Sequence, residues 1–145
     1  MTTASESIHI EAPVDVVYAF LDNPHNHAEV TPSLAEVRNV EPLENGGKRV
    51  EHTYGMAGIS LEGELVEREH VENELMLFEM RGNLTGEIRI ETKPEGDGTR
   101  VQYTGTYDLP GRVLGRVAEP LARRYNVREL RQTLENTKTH IESNE

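Results

Sequence analysis

Apolar and polar residues alternate with a period of two through the middle of the chain and follow a helical period near its end. The two-residue period predicts β-strands, because successive side chains of a strand point to opposite faces. Six segments show it: residues 36–40, 49–56, 59–68, 75–81, 84–92 and 100–109. The turns between them are short, as at Gly82-Asn83, and short turns favour antiparallel neighbours.

The two ends of the chain add a strand and the helices. Residues 7–11 alternate and predict a first strand, and Pro13 opens a helix with an apolar stripe from Val16 to Leu21. Residues 25–30 predict one more short helical turn, and residues 112–143 a long helix that Pro120 kinks or splits. We therefore expect an α+β fold: a curved antiparallel seven-stranded sheet wrapped on a long C-terminal helix, with two short helices after the first strand.

The alternation assigns one apolar face to five strands, and that face has two unusual features. Three glycines fall mid-strand on it, at Gly63, Gly86 and Gly105, where a missing side chain leaves a hollow or lets the sheet bend. Tyrosines and a histidine lie among its apolar residues. A buried tyrosine hydroxyl needs a hydrogen-bond partner, which water or a ligand in a cavity supplies. We therefore expect a cavity between the sheet and the last helix. A volume of about 300 Å³ or more would support ligand binding or catalysis there, and a filled interior would favour a protein-interaction module.

The candidate ligand-binding residues share this inward face or the facing side of the last helix. They are His52, Tyr54, Met56, Leu61, Met76, Phe78, Met80, Ile88, Tyr103, Tyr107, Val117, Leu121 and Tyr125. Methionines there would give adaptable walls. His52 is the candidate general base and Tyr103 the candidate group that polarises a carbonyl. Ligand contact without catalysis and hydrogen-bonded core packing remain the alternatives for both residues.

Other chemistry-bearing residues favour ordinary structural roles. His25 and His27 supply only two metal ligands on an expected exposed loop, so no metal site is predicted. Glu62 and Glu64 share the solvent face of their strand. The glycine-rich segments match no phosphate-binding motif, and no nucleophile motif occurs, so no cofactor is expected.

Composition and charge narrow the class of partner. The 145 residues suit one domain, residues 1–145, and lack cysteine. A net charge of −11 argues against nucleic acid and anionic membranes as partners, and no apolar run is long enough for stable membrane insertion. We expect a cytoplasmic monomer or weak homodimer. Lysine occurs only three times among 15 basic residues, a composition that suits a halophilic source. Basic residues of the last helix, such as Arg128, could attract an acidic ligand or instead pair with neighbouring glutamates.

The chain resembles the START-like superfamily with its helix-grip fold, often labelled SRPBCC, and within it the polyketide cyclase/dehydrase group. The resemblance rests on residues 8–22 (IHIEAPVDVVYAFLD), 97–101 (DGTRV) and 130–138 (LRQTLENTK). It implies a deep apolar cavity that binds a lipid, isoprenoid, quinone or polyketide-like molecule. Many members carry a tryptophan where this chain has residues 25–30, so no binding residue carries over there.

Three functions follow as hypotheses from the cavity and the resemblance. The first is binding of a hydrophobic small molecule, and the second is a cyclase or dehydratase that uses the same cavity. The third is a protein-interaction module with an interior too full to work as a binding site.

Overall fold

The structure, a computed structural model, describes residues 2–56, 58–108 and 119–143. Within these residues the chain forms seven strands and three helices. The strands are β1 (Thr2–Ile10), β2 (Leu34–Pro42), β3 (Lys48–Met56), β4 (Ile59–Val71), β5 (Leu75–Gly82), β6 (Thr85–Glu95) and β7 (Gly98–Asp108). The helices are α1 (Val14–Asp22), α2 (Pro24–Val30) and α3 (Glu119–Ser143).

All seven strands form one antiparallel sheet in the order β1-β7-β6-β5-β4-β3-β2. The helices α1 and α2 carry the chain from one edge strand to the other, and α3 runs along β1 and also contacts β7 and α2. This is the predicted helix-grip architecture. The first strand begins earlier than predicted, because Thr2 to Ser5 also pair with β7 although their small polar residues give a weak alternation signal.

The concave face of the sheet and α3 share one core. Val50 and Tyr54 on β3 and Val101 and Tyr103 on β7 point inward and are buried, as the alternation predicts. Leu130, Leu134 and Ile141 cover them from α3. Pro120 is the second described residue of α3. The kink predicted at Pro120 involves residues 112–118, which lie outside the described residues.

The three inward glycines divide between the two predicted roles. Gly63 opposes Gly82 across β4 and β5, and a Cβ on Gly63 would lie 2.2 Å from the carbonyl oxygen of Arg81. A Cβ on Gly86 would lie 2.0 Å from the carbonyl oxygen of Thr106. These two positions allow close backbone approach and hence strong curvature. Gly105 instead faces Asn126 of α3 across an ordinary 3.5 Å contact distance and leaves a hollow.

None of the three helices described is both long and apolar enough to cross a membrane.

Replacing Gly63 with Ala should destabilise the fold by about 1–3 kcal/mol, because the new methyl group meets backbone that cannot move away. Gly55→Ala on the neighbouring strand is the matched control, since nothing lies within 4 Å of its added Cβ. Urea unfolding of both variants measures the difference. Equal stability of the two would show that curvature does not depend on the Gly63 contact.

Candidate functional site

An inner cavity lies between the concave face of the sheet and α3. Its volume is about 40 Å³, room for a few water molecules and well below the volume that would by itself support ligand binding or catalysis. Four of the five tyrosines of the chain line it. The full lining is Thr31, Ser33, Tyr54, Met80, Leu84, Ile88, Tyr103, Gly105, Tyr107, Tyr125, Asn126, Glu129, Leu130 and Thr133.

Two further spaces adjoin the inner cavity. A deeper lobe of about 20 Å³ shares Tyr54 and Ile88 with it and reaches His27 and Phe78. On the outer side lies a space of about 360 Å³, which we call the vestibule, lined by Pro32, Ser33, Ala35, Gly55, Tyr125, Arg128, Glu129 and Gln132. The hydroxyl of Tyr125 hydrogen-bonds to the hydroxyl of Ser33 and donates to the carbonyl of Gly55, so it stands between vestibule and cavity.

Three polar groups at the inner cavity lack hydrogen-bond partners among the described residues. Tyr54 and Tyr107 are each only 8% exposed, and neither hydroxyl is bonded to another described residue. The buried hydroxyl of Thr31 is likewise unpaired. Burial raises the pKa of both tyrosines well above its usual range, so both stay neutral hydroxyls. Unpaired buried hydroxyls are costly, and a water or ligand atom in the cavity would satisfy them.

A histidine–tyrosine pair, His27 and Tyr103, adjoins the inner cavity. Nε2 of His27 lies 2.7 Å from the hydroxyl of Tyr103, within hydrogen-bond distance. Burial, and then the charge of Lys48, lower the pKa of His27 to about 4, so its ring is neutral near pH 7. Burial also raises the pKa of Tyr103.

The expectation that His27 lies exposed on a loop is wrong. The side chain of Asn23 accepts hydrogen bonds from the N–H groups of His25 and Asn26 and so caps α2. Pro24 at its first position also favours helix. The helix places His25 outside and turns His27 toward the core, where it is 9% exposed.

His52 is fully buried but does not line these cavities. Both ring nitrogens lack a hydrogen-bond partner among the described residues, and the ring packs edge-on against Tyr54 at 4.8 Å. Burial, and then the nearby Arg38, lower its pKa to about 4. The two candidate catalytic residues therefore do not meet at the inner cavity: Tyr103 lines it and hydrogen-bonds to His27, whereas His52 does not line it.

The remaining candidate residues fall into three groups. Tyr54, Met80, Ile88, Tyr103, Tyr107 and Tyr125 line the inner cavity, and Phe78 the deeper lobe. Leu61 and Met76 are fully buried in the core away from both spaces. Val117 and the side chain of Met56 lie outside the described residues.

The placement of Leu121 in the cavity is wrong. Its side chain is 54% exposed, whereas Ala122, the next residue on α3, is buried. Residues four apart share one side of a helix, and the inward side here runs through Ala122, Asn126 and Leu130. Leu121 lies about a quarter turn away from that side.

Three polar residues of α3 that line the cavity were not among the predicted site residues: Asn126, Glu129 and Thr133. The apolar residue next to Asn126, Val127, is itself only partly buried. A signal existed, because Asn126 precedes Leu130 by four residues and Thr133 follows it by three. A search for apolar residues alone passes over such positions.

A buried ion cluster lies beside the deeper lobe. Nζ of Lys48 contacts Asp22 at 2.7 Å and Glu67 at 3.1 Å, and Nδ1 of His70 lies 2.7 Å from Glu67. Glu67 is inward because it continues the alternation of Leu61 and Leu65, and a register shift between Glu67 and Glu69 leaves Glu69 exposed. Ligand atoms of Asp22, Glu67 and His70 lie within 4.8 Å of one another, a spacing that a metal ion could use. The ammonium group of Lys48 already contacts both carboxylates, so we interpret the cluster as structural.

Comparison with known proteins agrees with this architecture. Residues 1–142 match the family described as polyketide cyclase / dehydrase and lipid transport. No curated protein matches the sequence.

Solved structures share the fold at low identity. TTHA0849 from Thermus thermophilus is 22% identical with a TM-score of 0.76, over 97% of each chain. A START superfamily protein from Mycobacterium smegmatis is 14% identical with a TM-score of 0.81, over 100% of each chain. The Zhui aromatase/cyclase from Streptomyces sp. R1128 is 12% identical with a TM-score of 0.74, over 97% of this chain and 93% of that one.

The lowered pKa of His27 predicts that stability falls in acid. Its folded pKa of about 4 lies below the unfolded value of about 6.5, so the unfolded state binds the proton first. The contribution is complete above pH 6.5 and is lost between pH 6.5 and 4, amounting to about 3 kcal/mol, with His52 acting in the same direction. Urea unfolding across this range should show a flatter pH dependence in His27→Gln and an unchanged one in the exposed control His25→Gln. Equal profiles in wild type and His27→Gln would contradict the assignment.

Proposed function

Because the chain belongs to the polyketide cyclase/dehydrase and lipid transport family, we propose that it binds a hydrophobic small molecule between the sheet and α3. The ligand is of the lipid, isoprenoid, quinone or polyketide-like kind. The observation that carries the proposal is a group of hydroxyls at the cavity without a hydrogen-bond partner among the described residues. They are the buried hydroxyl of Thr31 and the hydroxyls of Tyr54 and Tyr107.

The energetics favour a ligand that is apolar with a few polar atoms. Each unpaired buried hydroxyl costs about 1–3 kcal/mol, which a ligand oxygen in the cavity would recover. Met80, Leu84, Ile88 and Leu130 supply apolar walls, and covering apolar surface contributes about 25 cal/mol per Å². Burial thus drives affinity, and the hydroxyls fix the orientation of the ligand.

Entry requires the inner cavity to widen, since 40 Å³ does not hold such a molecule. The vestibule, at about 360 Å³, is the larger space and adjoins the cavity at Ser33, Tyr125 and Glu129. Rotation of the Tyr125 side chain away from Ser33 would join the two spaces. The flexible side chain of Met80 would then adapt to the shape of the ligand.

Removing the hydroxyls tests this function. Tyr54→Phe and Tyr107→Phe should keep or raise the free energy of unfolding, and each should weaken binding of 2-naphthol roughly fivefold to tenfold. Tyr18→Phe is the control: its hydroxyl donates to the carbonyl of Leu75 at 3.0 Å, so this variant should lose about 1 kcal/mol of stability without affecting 2-naphthol. The fluorescence of 2-naphthol reports binding, because the chain contains no tryptophan.

A methyl group inside the cavity gives a second arm of the same test. The Cβ of Gly105→Ala makes ordinary contacts with Asn126 and Leu130 and occupies the hollow. This variant should stay folded and lose 2-naphthol binding. Unchanged binding in Gly105→Ala and both phenylalanine variants would exclude the cavity as the binding site.

The His27–Tyr103 pair favours a second candidate, a dehydratase of the cyclase kind. In such a reaction the proton on the carbon beside a ketone passes through Tyr103 to neutral His27. The carbon–oxygen bond of the β-hydroxyl then breaks, and the proton leaves with that oxygen as water, giving an enone.

A β-hydroxyketone probe distinguishes this candidate from binding alone. A dehydratase should form the enone, followed by its ultraviolet absorbance, and should lose this activity in Tyr103→Phe but retain part of it in Tyr107→Phe. Formation of enone only at the rate seen without protein would leave the chain as a binding protein.

A further inference from the structure

We propose that Glu129 makes the cavity select ligands that donate a hydrogen bond, namely alcohols and phenols, and reject carboxylates. This inference rests on the proposed function and specifies the ligand class of the same site. It concerns a residue of α3 that lines both the inner cavity and the vestibule.

Only one of the two carboxylate oxygens of Glu129 accepts a hydrogen bond from the described residues. Its Oε2 accepts a hydrogen bond from the backbone N–H of Ser33 at 3.1 Å. Its Oε1 has no hydrogen bond, and the carboxylate forms no ion pair with any residue in the described ranges. The side chain is partly buried at the junction of the two spaces, where a ligand passing Tyr125 meets it.

The charge of Glu129 is felt across the whole tyrosine-lined cavity. It is among the causes that raise the pKa of Tyr54, Tyr103, Tyr107 and Tyr125. A charge that disfavours a phenolate at these positions also disfavours a carboxylate brought in by a ligand. Desolvation in the apolar cavity adds to that penalty.

The other charged residue of the vestibule does not reverse this preference. Arg128 lies on its outer side and is exposed, so water and salt screen its guanidinium. Glu129 lines the cavity and is partly buried, so water and salt screen its charge less than that of Arg128. An anionic ligand is thus attracted weakly at the entrance and repelled at the cavity.

A hydroxyl group fits the polar groups of the site in both directions. Its hydrogen can be donated to Oε1 of Glu129, while its oxygen accepts from the hydroxyl of Tyr54 or Tyr107. A carboxylate has no hydrogen to donate at neutral pH. The geometry therefore favours an apolar ring system or chain that ends in an alcohol or phenol.

A matched pair of probes tests the selectivity. At neutral pH, 2-naphthol is a neutral phenol, and 2-naphthoate has the same rings with a carboxylate. Wild type should bind 2-naphthol at least roughly tenfold more tightly, and Glu129→Gln should reduce this ratio roughly tenfold, mainly by gaining 2-naphthoate. Gln keeps an acceptor for the N–H of Ser33, and thermal melting checks that the variant is folded.

The control is Glu135→Gln, which makes the same charge change at an exposed position of the same helix. It should leave the ratio unchanged. Preference of wild type for 2-naphthoate, or equal ratios in the two glutamine variants, would overturn the role of Glu129. If 2-naphthoate is preferred and Arg128→Gln abolishes that preference, the ligand is instead anchored by the vestibule.

Failure of the proposed function gives a different result. In that case neither probe binds, or both bind with affinities that Gly105→Ala does not change. The selectivity proposal then falls together with the cavity. If Gly105→Ala weakens binding but Glu129→Gln leaves the ratio unchanged, the cavity is retained and only the role of Glu129 is rejected.

Discussion

The structure depends on covering the concave apolar face of one strongly curved antiparallel sheet. Backbone segments approach closely at Gly63 and Gly86, where side chains would collide with the neighbouring strand. The resulting curvature leaves α3 as the cover for the inner face, and burial of Leu130, Leu134 and Ile141 against that face is the main stabilising interaction. At Gly105 the sheet lacks a side chain below α3. The cavity is thus a direct consequence of how a curved sheet and its covering helix meet.

This geometry explains why polar groups gather in an apolar interior. Residues that point inward from β3 and β7 bring Tyr54, Tyr103 and Tyr107 beneath α3, and the inward side of α3 adds Glu129. Tyr103 is satisfied by His27, whereas Tyr54 and Tyr107 are not satisfied by described residues. A core selected for stability alone would have phenylalanine at the two unpaired positions. Retaining the hydroxyls there is consistent with recognition of a ligand, at a cost in stability.

The sequence predicted those features that follow from local periodicity. Alternation identified the strands and their inward faces, and short turns identified antiparallel pairing, so the architecture and six cavity residues were accessible. Features set by a single local event were not. The register shift after Glu67 leaves Glu69 exposed although Glu67 is buried, and the cap at Asn23 begins the helix that turns His27 into the core. On α3 the inward position is Ala122 and not its neighbour Leu121. Glu129 was missed because charged residues on a covering helix usually face water.

The central claim is that a ligand occupies the space between Gly105 and α3. Proton–nitrogen correlation spectra of the labelled protein, recorded during a 2-naphthol titration, test it most directly. The account predicts that the largest saturable shifts occur in the backbone amides of residues 103–107 on β7 and 125–130 on α3, with small shifts on the solvent face of β4 and β5. Shifts confined to the convex face of the sheet, or no saturable shift at β7 and α3, would contradict it.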